Sequence, residues 1–342
     1  MNRAVGIDLG RSPALALLVD ISGRIIEEYT FPLEAGADFE VVLNGIGEAL
    51  GKFSRHGVAG IGIGVPGTQD TARGVCLFSP NFPSWVNVPI AGMVRERFKL
   101  PVSILNDVNA AALGEKYFGI AGIRMKDTTS PIYMEEAPVS VVSEGIGHPR
   151  EVRNLVFIAM GVGIGSGLII NNELVSGAHG AAGEIGHISL RPDGPRCHCG
   201  NQGCFEAYAS LWAIRRDIGI SPDYESSILK VMVDSPSEIG FKELRKALAH
   251  KDPLVQGLIK KVARFLGQAL AVIVNLVDPE LLVIGGETAP LLENYIPIVR
   301  EELESQVRLQ HAGEIKIITS RLKERAGACG AAARVMKSLM NL

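Results

Sequence analysis

Three cysteines and one histidine in a short segment could together hold a metal ion. Cys197, Cys199 and Cys204 lie within eight positions of one another, and His187 precedes the first of them by ten residues. Three thiolates and one imidazole suit a closed tetrahedral zinc site. Glycines and a proline between them allow the loop to fold back so that the sulfur atoms face one point. The spacing therefore predicts a structural zinc site.

Other interpretations of these residues compete with zinc. The cysteines could form disulfides, but five cysteines in total and no signal peptide argue against a secreted disulfide framework. His187 could be an ordinary core histidine. His198 could replace it as the fourth ligand, but it would have to point the same way as the cysteines on either side, which is awkward in an extended loop. We favour His187.

Several polar side chains could bind a ligand or transfer a proton. Glu184 and Glu206 flank the cysteine segment, which suggests that the metal stiffens a loop that presents polar groups. Asn106 and Asp107 follow a predicted strand and precede a helix. Asp107 could cap that helix, or it could be a general base at the carboxyl end of a strand, where ligands of α/β proteins bind. Asn81 stands in an apolar, proline-bearing loop and could also be a turn former.

Three glycine-containing turns follow predicted strands, where backbone N–H groups can bind phosphate. Their candidate residues are Asp8, Gly10 and Ser12; Gly161, Gly163 and Gly165; and Gly285 and Gly286. None of the turns is specific by itself, because glycine turns are at least as often plain hairpins. The second turn leads into a strand instead of a helix, which argues against a dinucleotide-binding Rossmann motif.

Composition excludes several classes of function. The chain has 342 residues, 47% of them hydrophobic and 21% charged, with a net charge of -3. This length allows two domains. The absence of a basic block argues against nucleic acid as a partner. Since neither a signal peptide nor a membrane-spanning apolar run is present, we expect a cytoplasmic protein with no membrane partner.

Hydrophobic periodicity predicts two similar α/β units. The first runs through three strands and then helix, strand, helix, strand, helix; the second begins near Asn154 and repeats strand, glycine turn, strand and helix–strand pairs. We predict a small N-terminal domain over 1–120, with the C-terminal helix 327–342 packed on it, and a large domain over 121–326 with the zinc loop. Small residues in the last helix predict close packing. Residues 121–153 are too long for an ordinary connection and are predicted to be a surface excursion.

The segments GEIGHISLRPDGPRCHCGNQGCFEAYAS, PNFPSW and LNDVNAAALGE resemble the ROK family of sugar kinases and sugar-responsive regulators. The resemblance covers the chain except 121–153, and the glucokinases of the family look closest, with its N-acetylmannosamine kinases similar in the zinc loop. It implies a duplicated RNase H-like, actin-type ATPase fold of two α/β domains with a cleft between them.

The resemblance also implies roles for individual residues. Asp107 would be the catalytic base, His187 would bind zinc through one ring nitrogen and sugar through the other, and Asp8 would anchor Mg²⁺. The three glycine turns would hold ATP. Sugar hydroxyls would be bound by Asn81, Asn106, Asp107, Glu184, His187 and Glu206.

The sequence departs from the family pattern in the nucleotide turns. Arg11, Ser12 and Pro13 follow Gly10 where the family's kinases usually carry Gly-Thr-Lys after the first glycine. Val162 replaces a threonine of the second turn, and Glu287 follows Gly285-Gly286 where glycine or a small residue is common. The sugar and zinc segments keep the family pattern.

Two functions follow from these observations. The first is ATP-dependent phosphorylation of a hexose or amino-hexose, with glucose at its 6-hydroxyl preferred and Asp107 as base. The second is a sugar-binding regulator with weak or no kinase activity, which the altered nucleotide turns favour. The expected lack of room for an N-terminal winged helix-turn-helix favours the kinase. A zinc hydrolase is disfavoured because a Cys₃His site leaves no open coordination position. We expect a homodimer or larger homo-oligomer.

Overall fold

The computed structural model describes residues 3–119, 152–308 and 312–340. The strands are β1 Arg3–Asp8, β2 Ala14–Asp20, β3 Ile25–Phe31, β4 Ile61–Val65, β5 Thr68–Asp70, β6 Val75–Phe78, β7 Val86–Val88, β8 Val102–Asn106, β9 Leu155–Met160, β10 Ile164–Ile170, β11 Glu173–Leu174, β12 Leu281–Gly285 and β13 Lys316–Thr319. The α-helices are α1 Phe39–Phe53, α2 Ile90–Phe98, α3 Asp107–Tyr117, α4 Glu206–Ala209, α5 Leu211–Gly219, α6 Phe241–Ala249, α7 Pro253–Val277, α8 Ala289–Leu292, α9 Ile296–Gln306 and α10 Ala326–Leu339.

Two five-stranded sheets have the same strand order. The first is β3-β2-β1-β4-β8, with antiparallel pairing among β1, β2 and β3 and parallel pairing of β1 with β4 and of β4 with β8. The second is β11-β10-β9-β12-β13, in which β9, β12 and β13 are parallel. The parallel strands are almost continuously apolar, as expected for strands buried on both faces. The repeated order is the duplication predicted from the sequence.

A small antiparallel sheet of β5, β6 and β7 was not predicted. Its strands have three or four residues each, and β5 reads Thr-Gln-Asp. Such short segments carry too few alternations for hydrophobic periodicity to identify them. The sheet matters for the site because the connection between β6 and β7 contains Asn81.

Helix α10 packs against β1, β4 and α3 so closely that their backbones are in contact. A Cβ atom placed on Gly62 of β4 would lie 1.8 Å from the carbonyl oxygen of Ala331. One placed on Gly330 would lie 1.6 Å from the carbonyl oxygen of Ala110 in α3. The close packing expected from the small residues of the last helix is therefore present. It requires glycine at Gly62 and Gly330, where a side chain would clash with the facing backbone.

The longest helix, α7, has 25 residues and begins where Asp252 accepts a hydrogen bond from the Val255 N–H at 3.1 Å. Buried apolar residues recur along one face of the helix, while Lys260, Lys261 and Arg264 lie among the others. Within the described parts of the chain, no helix is both long and apolar enough to span a membrane.

The chain groups into two compact units. The first consists of residues up to 153, 167–182 and 321 onward, and the second of 154–166 and 183–320. These bounds differ from the predicted domains, 1–120 and 121–326: the first unit extends to 153, includes 167–182 and resumes at 321. The predicted excursion at 121–153 lies outside the described residues, apart from its last two positions.

The packing of α10 predicts opposite effects for two glycine-to-alanine substitutions in helices. Gly330→Ala should lower the free energy of unfolding by about 3 kcal/mol, because the new methyl group forces α3 and α10 apart. Gly51→Ala is the matched control, because a Cβ atom at this position of α1 would have no atom within 4 Å. It should raise stability by about 0.5–1 kcal/mol through helix propensity. Urea unfolding measures both, and equal stabilities would contradict the proposed close approach.

Candidate functional site

Asn106 caps α3 and orients Asp107. The Asn106 Oδ1 atom accepts hydrogen bonds from the N–H groups of Val108 at 2.9 Å and Asn109 at 3.0 Å. The Asn106 Nδ2 group donates to Asp107 Oδ1 at 3.0 Å and to the Gly67 carbonyl at 3.1 Å. The interpretation of Asp107 as the helix cap is therefore wrong: it is the first residue of α3, and its carboxylate is oriented by the cap.

Asp8 lies at the end of β1, next to Asp107. Asp8 Oδ1 accepts a hydrogen bond from the Gly10 N–H at 2.8 Å, and a Cβ atom on Gly10 would lie 2.2 Å from Asp107 Oδ2. Burial, together with the Asp107 carboxylate, raises the pKa of Asp8 to about 7. Two neighbouring carboxylates create a negative potential that a hard cation such as Mg²⁺ would neutralise. The donor set therefore fits a magnesium ion at Asp8.

Gly327, at the start of α10, is a site residue that the sequence analysis missed. A Cβ atom there would lie 2.3 Å from Asp8 Oδ2, so any side chain would displace the Asp8 carboxylate. The only indication in the sequence was the spacing of Gly327 and Gly330 among alanines.

Asn81 is exposed and lies in a loop with a rigid apolar base. Phe82 and Trp85 stack with their ring centroids 4.2 Å apart, and the Trp85 indole N–H donates to the Ala37 carbonyl at 3.2 Å. The start of this loop touches Gly67, whose carbonyl accepts from Asn106: a Cβ atom on Gly67 would meet the Phe78 carbonyl at 2.2 Å. The loop is thus linked to Asn106 through a single glycine.

The predicted zinc ligands converge in the second unit. One ligand atom from each of His187, Cys197, Cys199 and Cys204 lies within 4.8 Å of the others. The His187 Nδ1 to Cys197 Sγ distance is 3.8 Å, and the two sulfurs of Cys199 and Cys204 are 3.7 Å apart. A tetrahedral ion with Zn–S bonds of about 2.3 Å has S–S edges of about 3.8 Å, so these positions fit zinc.

The histidine beside the cysteines does not take part in this cluster. The His198 ring stacks on Trp212 with a centroid separation of 4.3 Å, and the Arg216 guanidinium carbon lies 5.5 Å from the Trp212 centroid. The choice between the two histidines is thereby decided in favour of His187.

The thiols of the cluster have unequal environments. Burial raises the pKa of Cys197, and burial together with the other two thiols raises the pKa of Cys204 to about 12. A backbone hydrogen bond from Asn201 lowers the pKa of Cys199, the exposed member. Without a cation, two buried thiols therefore favour the protonated state, whereas a bound Zn²⁺ would favour thiolates.

Glu184 and Glu206 lie on either side of the cluster. His187 Nε2, the ring nitrogen directed away from the sulfurs, is 4.0 Å from Glu184 Oε2. Glu206 Oε2 accepts a hydrogen bond from the Ile164 N–H at 2.8 Å, and Cys197 Sγ lies 3.9 Å from Glu206 Oε1. His187 can thus bind a metal through Nδ1 and leave Nε2 for another ligand.

The nucleotide-turn candidates occur in both units. In the second, β10 begins at Ile164, so Gly165 belongs to a strand and only Gly161 and Gly163 lie in the turn. Val162, between them, is 62% exposed. Gly286 has a φ of 81° and stands so close to Met160 that a Cβ would lie 2.3 Å from its carbonyl oxygen. Such tight turns leave backbone groups accessible to a ligand.

The first turn differs in its charge. Gly10, Ser12 and Pro13 are exposed, and Arg11 donates from Nη1 to the Glu324 carbonyl at 3.3 Å. Arg11 therefore supplies a positive charge beside the Asp8 carboxylate.

Two groups of site residues result. Asp8, Gly10, Ser12, Asn81, Asn106 and Asp107 belong to the first unit. Gly161, Gly163, Gly165, Glu184, His187, Cys197, Cys199, Cys204, Glu206, Gly285 and Gly286 belong to the second. In the first unit, Asp107 lies against Asn106 and close to Asp8; in the second, the four cluster ligands converge beside Glu184 and Glu206.

Known proteins resemble the chain over nearly its whole length. The model of the ROK family matches residues 4–133 and 123–338. A glucokinase from Thermotoga maritima is 31% identical over 339 residues, covering 98% of both chains. A xylose repressor from Caldicellulosiruptor bescii is 30% identical over 349 residues, covering 98% of this chain and 79% of the repressor.

A solved structure extends this likeness to the fold. It is a ROK family glucokinase from Streptomyces griseus in complex with glucose and AMPPNP, 30% identical, with a TM-score of 0.77 and coverage of 97% of this chain and 98% of that one. The predicted resemblance and the predicted α/β fold of duplicated RNase H-like, actin-type ATPase architecture are confirmed.

The raised pKa of Asp8 predicts that an uncharged residue stabilises the metal-free protein. The pKa rises from 3.8 to about 7 on folding, so the Asp8 carboxyl ionises at a lower pH in the unfolded chain than in the folded one. Ionisation of Asp8 therefore lowers the free energy of unfolding progressively as the pH rises between these two values. Asp8→Asn should therefore raise the melting temperature at pH 8, and the gain should vanish near pH 4. Asp38→Asn, at an exposed aspartate without a side-chain cap bond, is the control. A gain independent of pH would contradict the assignment.

Proposed function

The chain belongs to the ROK family, and from this premise we propose that it phosphorylates a hexose with ATP, most readily glucose at the 6-hydroxyl. The observation that carries the proposal is the Asp107 carboxylate, oriented by Asn106 at the carboxyl end of a strand and beside Asp8. The similarity to two glucokinases, one of them solved with glucose and AMPPNP, supports both the reaction and the sugar.

The proposed chemistry is a single phosphoryl transfer. The sugar hydroxyl oxygen forms a bond to the γ-phosphorus, the bond from that phosphorus to the ADP oxygen breaks, and the hydroxyl proton passes to the Asp107 carboxylate. Mg²⁺, held through Asp8, would supply neutralisation of phosphate charge. Because this reaction needs positioning more than covalent help, the fixed orientation of Asp107 by Asn106 is the chief contribution of the first unit.

The sugar would be held by hydrogen-bond acceptors and donors. We propose Asn81, Asn106, Asp107, Glu184, His187 and Glu206 as its ligands, because a polyhydroxylated ring needs many hydrogen-bonding partners. Asn106 already makes four hydrogen bonds in the protein, so its main proposed role is to orient Asp107.

Zinc is proposed as the occupant of the Cys₃His cluster, with a structural role. Four protein ligands close the coordination sphere, which leaves no position for an activated water. The ion would crosslink a loop from His187 to Cys204 and so hold the other ring nitrogen of His187 toward the sugar.

The alternative function is a sugar-binding regulator with little or no kinase activity. The similarity to a xylose repressor favours it, as do Val162, Arg11 and Glu287 in the nucleotide turns. Val162 cannot donate the hydroxyl hydrogen bond of a threonine, which is worth about 1 kcal/mol. The two functions differ in nucleotide binding: a kinase must bind ATP, whereas a sensor needs only the sugar.

The zinc assignment predicts one zinc per chain in protein purified without added metal. Cys199→Ser and His187→Ala should each lose zinc and lower the melting temperature, because the loop loses its crosslink. His198→Ala should keep zinc, since that ring stacks on Trp212 outside the cluster. Zinc retained by Cys199→Ser with unchanged melting, or lost in His198→Ala, would contradict this ligand set.

The catalytic assignment predicts that Asp107→Asn lowers turnover by roughly two or more orders of magnitude, in line with the loss of a general base. Sugar affinity should remain within about tenfold, because one hydrogen bond is altered. Asp38→Asn should keep full activity. A coupled assay with ATP and a panel of hexoses and amino-hexoses measures turnover, and calorimetry measures binding.

Three results would count against the proposal. Asp107→Asn with normal turnover would remove Asp107 as the base. A panel in which an amino-hexose is preferred would replace glucose. Hexose binding without any binding of ATP would replace the kinase by the regulator.

A further inference from the structure

The glycine turn, defined as residues 161–164, is held in place by the segment that carries the metal cluster. The Leu211 N–H donates to the Gly161 carbonyl at 2.9 Å. The Ile164 N–H donates to Glu206 Oε2 at 2.8 Å. Gly186 packs against the Ile164 carbonyl so closely that a Cβ there would lie 2.2 Å away. These three contacts come from Gly186, Glu206 and Leu211, which lie on the segment that includes the metal cluster.

Glu206 is the side chain among these contacts, and it also adjoins the cluster. It follows the ligand Cys204 by two residues and begins α4, and its second oxygen, Oε1, lies 3.9 Å from Cys197 Sγ. Phe205, between the ligand and Glu206, is fully buried and donates its N–H to the Ile188 carbonyl at 2.9 Å. The Glu206 carboxylate therefore lies between Cys197 of the cluster and the turn, whose Ile164 N–H it binds.

Within the turn itself, the Gly161 N–H donates to the Gly163 carbonyl at 2.9 Å. The Val162 side chain is 62% exposed, and a Cβ on Gly161 would have no atom within 4 Å. A Cβ on Gly163 would lie 3.0 Å from Glu206 Oε2, so the carboxylate packs against the bare backbone of the turn. A charged acceptor bound to a backbone N–H contributes more than a neutral one. Glu206 is therefore the side chain that holds the Ile164 end of the turn, while the Leu211 N–H holds the Gly161 end.

We propose that Glu206 is a positioning residue that couples the metal cluster to the glycine turn and thereby sets the affinity for ATP, in addition to its proposed contact with the sugar. This inference rests on the proposed function, because it assigns the phosphates of ATP to that turn. It predicts that the metal cluster supports nucleotide binding as well as sugar binding.

The test measures ATP affinity by calorimetry in the absence of sugar, with Mg²⁺ present. Glu206→Asp keeps the charge but is one methylene too short to reach the Ile164 N–H, so ATP binding should weaken by about 10- to 100-fold. Glu206→Gln loses the charge but keeps an oxygen at the same reach, so ATP affinity should stay within about fivefold. If Glu206 acted only through its charge, Glu206→Gln would weaken ATP binding more than Glu206→Asp. If Glu206 acted only on the sugar, neither substitution would change the ATP affinity.

Glu184→Gln is the matched control. Glu184 lies on the same segment and faces His187 Nε2, but it makes no hydrogen bond to the glycine turn. Its substitution should weaken glucose binding and leave ATP affinity without sugar unchanged. Zinc content and melting temperature of every variant identify any that fails to fold.

Hydrogen exchange of the peptide that contains the Ile164 amide provides a readout without nucleotide. Exchange should accelerate in Glu206→Asp and after removal of zinc by a chelator, and it should stay slow in Glu206→Gln and Glu184→Gln. Unchanged exchange and ATP affinity in Glu206→Asp would overturn the inference. Absence of ATP binding by the unmodified protein would instead overturn the proposed function, and the exchange measurement would still decide whether Glu206 couples the cluster to the turn.

Discussion

Backbone-to-backbone packing of α10 is the constraint on which the first unit depends. Glycines at four contact points, Gly6, Gly62, Gly114 and Gly330, allow α10 to approach β1, β4 and α3 more closely than any side chain would permit. Because β1, β4 and β8 are parallel, their carboxyl ends lie at one edge of the sheet. The close approach of α10 and α3 brings the first turns of both helices to that edge, where the two carboxylates of the site meet.

The same packing makes the site electrostatically costly. Asp8 is half-buried beside a second carboxylate, and its pKa rises because burial and the neighbouring negative charge both disfavour its ionised form. Natural proteins often retain such locally unfavourable groups where a ligand supplies the missing charge. The unfavourable charge at Asp8 is therefore an argument for function, since a chain selected for stability alone would carry a neutral residue there.

In the second unit, by contrast, Glu184, the cluster ligands and Glu206 stand on one long segment with little regular structure. Between Glu184 and Glu206 the backbone forms one short 3₁₀ turn over Ile185–His187 and two isolated bridges, Ser189 with Cys204 and Arg196 with Gln202, and the buried apolar cluster beneath it is small. A zinc ion bound by the four converging ligands would add rigidity to such a segment. Under the proposed role of Glu206, the same rigidity would extend to the backbone of β10.

The sequence by itself determined the spacing of the three cysteines and their two candidate histidines, the duplicated order of strands and helices, and the family segments around Asn106 and His187. These features are local: ligand spacing, apolar periodicity and turn residues are properties of neighbouring positions. Only the tertiary structure decided that Asn106, not Asp107, caps α3, that His198 stacks on an aromatic ring, and that Glu206 holds Ile164. Those outcomes depend on side-chain direction and on contacts between segments far apart in the chain, which residue patterns do not encode.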